Sequence, residues 1–295
     1  MKKNKLNDYY LTGSIHTLAI KSQDIIENVL PEVSDCIKSS YQLKNDDMTS
    51  TIINPNKMNG DILSYSQFQS VMNMIVEQSG VNDYEVVRVD FRLDSYDENH
   101  YKDYAKLHKY IIAALAVTYS VRNSYRTTNL FNQKQLSIAI KNRYFEAESY
   151  DKAYESNYTD MAQSRLELRS KNGIDGDLKQ QFIKDWDRRL DKSINNLLAV
   201  QQRYNDELIR IYKEDKEAFP RKFTSVKEFL MQYQDCIFSK EQLINLLSEL
   251  EGVCKNPKTY AENYKKRYGI EYISQRDVLI AVKEIKRAMN QFFNN

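Results

Sequence analysis

Apolar and polar positions alternate most clearly in the middle of the chain. From Tyr84 to Tyr96 (YEVVRVDFRLDSY), Val87, Val89, Phe91 and Leu93 fall on one side, and Arg88, Asp90, Arg92 and Asp94 on the other. A period of two predicts a half-buried strand with an ionic face. From about Tyr101 to Val121, with KYIIAALAVTYSV at its core, the pattern predicts a strongly apolar helix. QLSIAIKN and RYFEAESYD then alternate and meet at Asn142–Arg143. A two-residue turn there predicts a hairpin pairing Lys141 with Tyr144, Ala139 with Glu146 and Ser137 with Glu148. Leu136, Ile138, Ile140, Phe145 and Ala147 then share its apolar face. SRLELRSK adds a strand with Leu166 and Leu168 on one face and Arg165, Glu167 and Arg169 on the other.

The flanks follow a different rhythm. Near the start, His16 to Ile20 reads as a short strand, followed by a helix ending before Pro31, and TSTIINPNKMNG holds a β-branched run closed by turn residues. Phe68, Val71, Met72, Ile75 and Val76 recur at helical spacing over Tyr65–Gln78, with Gly80 placed as a stop. After NGIDGD, a stripe from Leu178 through Phe182, Trp186, Leu190, Ile194, Leu197, Tyr204 and Leu208 to Ile211 predicts one long helix over 176–215. Glu217–Lys222, containing Pro220, breaks it. The remainder reads as several short helices, with capping boxes at Ser239/Gln242 and Ser274/Asp277. The expected fold is α+β, an antiparallel sheet with flanking helices. The expected division is an α+β domain over 1–216 and an all-helical C-terminal domain over 217–295.

Composition narrows the functional classes. The chain has 295 residues with 43 Lys+Arg against 41 Asp+Glu, so attraction to nucleic acid needs a local basic face. Seven Gly and 4 Pro exclude a collagenous chain or a long flexible linker. Cys36, Cys236 and Cys254 fit neither a disulfide framework nor a paired-cysteine zinc site, which suggests a reducing cytoplasm. No apolar run reaches the ~18 residues of a membrane span, and the N-terminal stretch lacks the apolar core of a secretory signal.

Candidate chemistry gathers on the ionic face of the sheet. Asp90, Asp94, Glu146, Glu148 and Glu167 lie on three strands, interleaved with Arg88, Arg92, Arg165 and Arg169. Carboxylates so placed suit a hard cation such as Mg²⁺ or Mn²⁺, and the guanidinium groups suit a phosphate. An antiparallel sheet with one solvated face and cross-strand ion pairs has the same pattern and needs no function. Gly-rich phosphate loops, serine elbows and zinc-protease histidine pairs are absent from the sequence. Tyrosine is the remaining candidate nucleophile: Tyr204 and Tyr212 follow the acidic strands, among Arg203, Arg210 and Lys213, although both positions also suit packing. Basic positions in the C-terminal part (Lys265, Lys266, Arg267, Lys283, Lys286 and Arg287) are candidates for DNA contact, or simply solvated helix faces.

Four segments in order, LSYSQFQSVMNMIVEQSGV, VVRVDFRLDSY, YFEAESYDKAYE and RLELRSK, carry a resemblance. Together they are similar to the rolling-circle replication initiators of plasmids and mobile elements in low-GC Gram-positive bacteria, and to the related relaxases. The Tyr150-Asp151-Lys152 run with Glu155, followed by Arg165, Glu167 and Arg169, carries most of it. The resemblance covers roughly Ile52 to Lys171. It implies a degenerate form of the rolling-circle nuclease fold, without that class's paired histidines. The implied activity is divalent-metal-dependent nicking and rejoining of one origin strand through a tyrosine, which leaves the protein joined to the 5′ end. Carried over, Asp90, Glu146 or Glu148, and Glu167 become metal ligands, and Lys152 and Arg169 lie near phosphate. Which tyrosine acts does not transfer. Expected partners are origin DNA, single-stranded at the nick, a host helicase and a second copy of the chain. The rival expectation is a non-catalytic DNA-binding organiser of replication or transcription.

Overall fold

The computed structural model describes residues 10–23, 30–43, 47–81, 83–98, 101–121, 138–157, 161–171, 173–174, 176–218, 225–250, 254–268 and 272–295. Seven strands form one sheet: β1 Thr12–Ser22, β2 Ile37–Gln42, β3 Thr49–Ile53, β4 Tyr84–Ser95, β5 Ile138–Lys141, β6 Phe145–Asp151 and β7 Ser164–Lys171. Their spatial order is β2-β3-β1-β4-β7-β6-β5, with antiparallel pairing throughout. Sequence pattern locates β1 only from His16 to Ile20. It runs longer because it lies inside the sheet, with β3 and β4 both supplying ladder partners. β2 (IKSSYQ) escapes the pattern altogether: it is an edge strand, exposed beyond Ile37, so no apolar alternation marks it.

The β5–β6 hairpin differs from expectation in register alone. Lys141 faces Glu146, Ile140 faces Ala147 and Ala139 faces Glu148, two residues further along than a two-residue turn would give. Asn142 explains the wider loop, because its Oδ1 accepts from the backbone N–H of both Tyr144 and Phe145 at 2.8 Å. A shift of two keeps every side chain on its expected face. Ser137 lies outside the described residues.

One sheet face is apolar. Ile15, Leu18, Val89, Phe91, Phe145, Ala147, Leu166 and Leu168 are buried there. The helices up to this point are α1 Pro31–Ser34, α2 Asn56–Asn59, α3 Tyr65–Ser79, α4 Tyr101–Thr118, α5 Lys152–Glu155, α6 Leu178–Phe182 and α7 Arg188–Ile194, of which α4 packs against β5, β6 and β7. Ser64 caps α3, and Gly80 ends it in the left-handed conformation at φ 67°. Pro31 opens α1 where a helix end was expected, since the first turn requires no N–H from it. The helix expected between Ile20 and Pro31 gives way at its start to Lys21 and Ser22 of β1, and residues 24–29 lie outside the described residues.

The long stripe after residue 176 is several pieces. A π turn at Ile183–Asp187 separates α6 from α7, and α8 Leu197–Ala218 starts anew after Asn195–Asn196. Asn196 donates its side-chain amide to Thr118 Oγ1 (2.9 Å), a bond outside the helix that suits the break. The π turn carries Trp186, whose indole N–H donates to Ser170 Oγ on β7 at 3.1 Å.

The C-terminal helices are α9 Val226–Gln232, α10 Lys240–Glu249, α11 Pro257–Tyr268 and α12 Gln275–Asn294. Ser274 and Asp277 form the reciprocal cap of α12. At α10, Ser239 accepts from Gln242 N–H, but the Gln242 side chain accepts from Phe238 N–H, so the second half of that box is replaced. α12 lies against β1. Gly13 makes this possible: a Cβ there would stand 2.6 Å from the Ala288 carbonyl oxygen. Leu11 N–H donates to Glu284 Oε1 (2.9 Å), and Phe293 packs near Phe91 (6.3 Å between ring centres). Buried side chains before and after Glu217 belong to one continuous core. Residues 219–224, including Pro220, lie outside the described residues. Among the described residues, no helix is long and apolar enough to cross a membrane.

Candidate functional site

The other sheet face carries the charges. Alternation places Arg88, Asp90, Arg92 and Asp94 of β4, Glu146, Glu148 and Tyr150 of β6, and Arg165, Glu167, Arg169 and Lys171 of β7 on it. A single strand's pattern leaves its polar side in solvent. Here that side is buried: Asp90 and Asp94 are 1% exposed and Glu146 2%. Charges removed from water this far persist when paired and hydrogen-bonded, and the register supplies the pairs.

β7 is the axis. Arg169 stands directly opposite Asp90 on β4 and directly opposite Glu146 on β6, with Glu167 two positions earlier on its own strand. Its three guanidinium nitrogens each take a different carboxylate. Nε reaches Asp90 Oδ1 at 2.8 Å, Nη1 reaches Glu146 Oε1 at 2.9 Å, and Nη2 reaches Glu167 Oε2 at 3.4 Å. Arg88 also closes on Asp90, and Lys171 Nζ on Glu146 Oε2 at 2.8 Å. Burial alone would raise the Glu146 carboxyl; Lys171 and Arg169 reverse that and hold it below its ordinary value.

Glu167 joins a second group. The Tyr150 hydroxyl donates to its Oε1 at 2.7 Å, and His16 Nδ1 lies 3.0 Å from the same oxygen. Burial works against the Glu167 anion, but His16, Tyr150 and Arg169 more than compensate and bring its pKa down to about 2. The Tyr150 phenol moves the other way, raised first by burial and then by the Glu167 charge. His16 reaches the site through a bulge: the β1–β4 register shifts between Ile15 and Thr17, leaving His16 as the extra residue.

Further along the strands, Arg165 grips Asp94 across the sheet with Nε and Nη2 at 2.6 and 3.0 Å. Arg92 bridges Asp94 and Asp61, at 3.2 and 2.9 Å.

Of the residues singled out from sequence, Asp90, Glu146, Glu167 and Arg169 therefore meet. Glu148 shares their face but stands opposite Glu167, away from Arg169. Lys152 opens α5 and pairs with Glu155. Tyr204 and Tyr212 do not come to the cluster. Both lie on α8, which packs against α4, and α4 covers the apolar face. Tyr204 is buried edge-on to Phe238 (5.0 Å between ring centres), and Tyr212 lies against Phe229 (5.0 Å). Burial raises the Tyr204 phenol well above its ordinary value.

The basic candidates divide similarly. Lys286 pairs with Asp187 (2.9 Å) and Asp191 (2.7 Å), and Arg287 pairs with Glu284 while donating to Leu11 O (3.1 Å); both fasten α12 in place. Lys266 and Lys283 are exposed on α11 and α12. The side chains of Lys265 and Arg267 lie outside the described residues.

Two site residues escape the sequence pattern as a candidate set. Tyr150 is legible in principle, since it shares the parity of Glu146 and Glu148 on β6. His16 is not, because parity fails at a bulge. No protein-family model, curated protein or solved structure matches the chain.

Proposed function

We propose that the ionic face is the seat of DNA strand nicking and rejoining, in an initiator of mobile-element replication. One observation carries this reading: Asp90, Glu146, Glu167 and Arg169, drawn from three of the segments that resemble such initiators, meet in one buried cluster that also holds a tyrosine hydroxyl. The reading assigns the nucleophile to Tyr150, in place of Tyr204 or Tyr212.

In the proposed step the Tyr150 oxygen attacks a backbone phosphorus and its proton passes to Glu167. A Tyr–O–P bond forms and the P–O3′ bond breaks. The 3′ oxygen leaves and takes a proton from water, and the reverse sequence rejoins the strand. Arg165, directly opposite Tyr150 across β6 and β7, would stabilise the charge gathering on the phosphoryl oxygens. Before DNA binds, the raised phenol and the depressed carboxyl keep the proton on Tyr150. Binding of the substrate must therefore shift that balance, and the rate should climb with pH above neutrality.

The test is incubation with candidate origin DNA, single-stranded and as supercoiled plasmid, with and without Mn²⁺, followed by separation of covalent protein–DNA adducts. The reading requires an adduct that Tyr150→Phe abolishes and that Tyr204→Phe and Tyr212→Phe retain. An adduct surviving Tyr150→Phe removes the assignment, and no adduct on any origin DNA removes the activity.

A second reading has its own observation. Asp90, Asp94 and Glu146 are each already paired with Arg or Lys, as in a purely structural ion network. Under it, the chain is a DNA-binding organiser whose sheet charges hold the fold. Origin binding without an adduct would support it.

A further inference from the structure

The resemblance implies a divalent ion held by Asp90, Glu146 and Glu167, and the geometry of this chain places something else there. We infer that Arg169 is the built-in cation of this cluster, and that the protein as folded binds no divalent metal between these carboxylates. The inference concerns the metal alone and stands or falls separately from the nicking reading.

Three features carry it. The first is position. Each guanidinium nitrogen of Arg169 faces a different carboxylate, at 2.8, 2.9 and 3.4 Å, so the group fills the point on which the three converge. Oxygen ligands must close to ~2.0–2.6 Å around a Mg²⁺ or Ca²⁺ ion, which leaves no room for a planar guanidinium among them. The second is charge. The outer oxygens are also engaged, Asp90 by Arg88, Glu146 by Lys171 and Glu167 by Tyr150. The charges of Asp90, Glu146 and Glu167 are thus matched one for one by Arg88, Arg169 and Lys171, and Lys38 adds a further cation near Asp90 and Glu167. A divalent ion beside the retained guanidinium would be repelled by its fixed positive charge.

The third is permanence. Arginine does not lose its proton in a protein, unlike a lysine or histidine that neutralises to admit a metal. The cross-strand register also holds Arg169 from both sides, opposite Asp90 and Glu146 at once. An ion could enter only by driving a half-buried guanidinium out of a site that satisfies all three of its nitrogens.

The substitution Arg169→Ala should therefore create the metal site that the wild-type chain lacks. MnCl₂ titrated into the full-length protein, followed by calorimetry and by thermal unfolding, makes the test. Wild type should show no saturable Mn²⁺ binding that Asp90→Asn removes. Arg169→Ala should melt lower, bind Mn²⁺ about tenfold tighter or more, and regain stability from it. Adding Asp90→Asn to that variant should abolish the gain. If Arg169→Ala fails to fold alone, refolding it with Mn²⁺ gives the same distinction: recovery supports the inference and no recovery overturns it. Saturable wild-type binding that Asp90→Asn abolishes would also overturn it.

Discussion

Asp94 and Arg165 face each other across β4 and β7 in a two-pronged ion pair, Nε to Oδ1 at 2.6 Å and Nη2 to Oδ2 at 3.0 Å, although 71 residues separate them in the chain. Their side chains are 1% and 3% exposed. Such a pair offsets its own desolvation without adding much, yet neither half tolerates the loss of the other. Asp94→Asn should destabilise the fold by about 3–5 kcal/mol, because it strands the Arg165 charge. The double replacement Asp94→Leu with Arg165→Met should restore part of that loss, with Arg92 left to Asp61 alone. Urea unfolding of the two variants checks this; equal destabilisation by both would contradict it.

Gly13 is the second stability determinant open to test. A methyl group there meets the Ala288 carbonyl at 2.6 Å, so Gly13→Ala must push α12 away from β1, at about 1–3 kcal/mol. Gly176→Ala is the control, since a Cβ there meets nothing within 4 Å. Thermal unfolding should separate the two, with Gly176→Ala unchanged or slightly more stable.

Acid should weaken the fold over two distinguishable pH windows. His108, buried on α4, has its pKa lowered by desolvation from 6.5 to about 4. The unfolded chain therefore takes up a proton at a higher pH than the folded one does. Stability is complete above about 6.5 and falls as pH drops through about 4, by about 3 kcal/mol in all. Glu167, at about 2 against an ordinary 4.5, follows the same sign in a lower window. Its contribution is present above about 4.5 and disappears towards about 2, again about 3 kcal/mol. His108→Leu should flatten the upper window alone and Glu167→Gln the lower one alone. Unfolding free energies measured across pH 2–8 would reveal each; unaltered curves would refute the assignments.

Lys266 should differ in kind from Lys286 and Arg287. Neutralising Lys265, Lys266 and Arg267 together should lower the salt dependence of DNA binding, by about 0.9 in log–log slope for each phosphate no longer neutralised. Lys286→Gln and Arg287→Gln remove ion pairs that hold α12. They should cost up to about 1 kcal/mol of stability each and leave the slope unchanged. Binding isotherms at several salt concentrations, paired with melting curves, decide the matter.

By itself the sequence determined which residues share a sheet face, along with the start of α4, the start and stop of α3 and the cap of α12. Side-chain alternation is a local property of extended backbone, and it survives the two-residue slip at Asn142 that changed every pair in the hairpin. Asp90, Glu146, Glu167 and Arg169 were legible as face-mates for that reason. The tertiary structure decided the rest. Only the strand order β4-β7-β6 sets Arg169 between Asp90 and Glu146, because register and neighbours depend on residues distant in sequence. Only packing decided that the ionic face is buried, for the alternation of a solvated face and of a buried ion network is identical. His16 entered through a bulge that parity cannot register. Tyr204 and Tyr212 sit on α8, behind α4, because the helical stripe specifies a buried side without specifying what it is buried against.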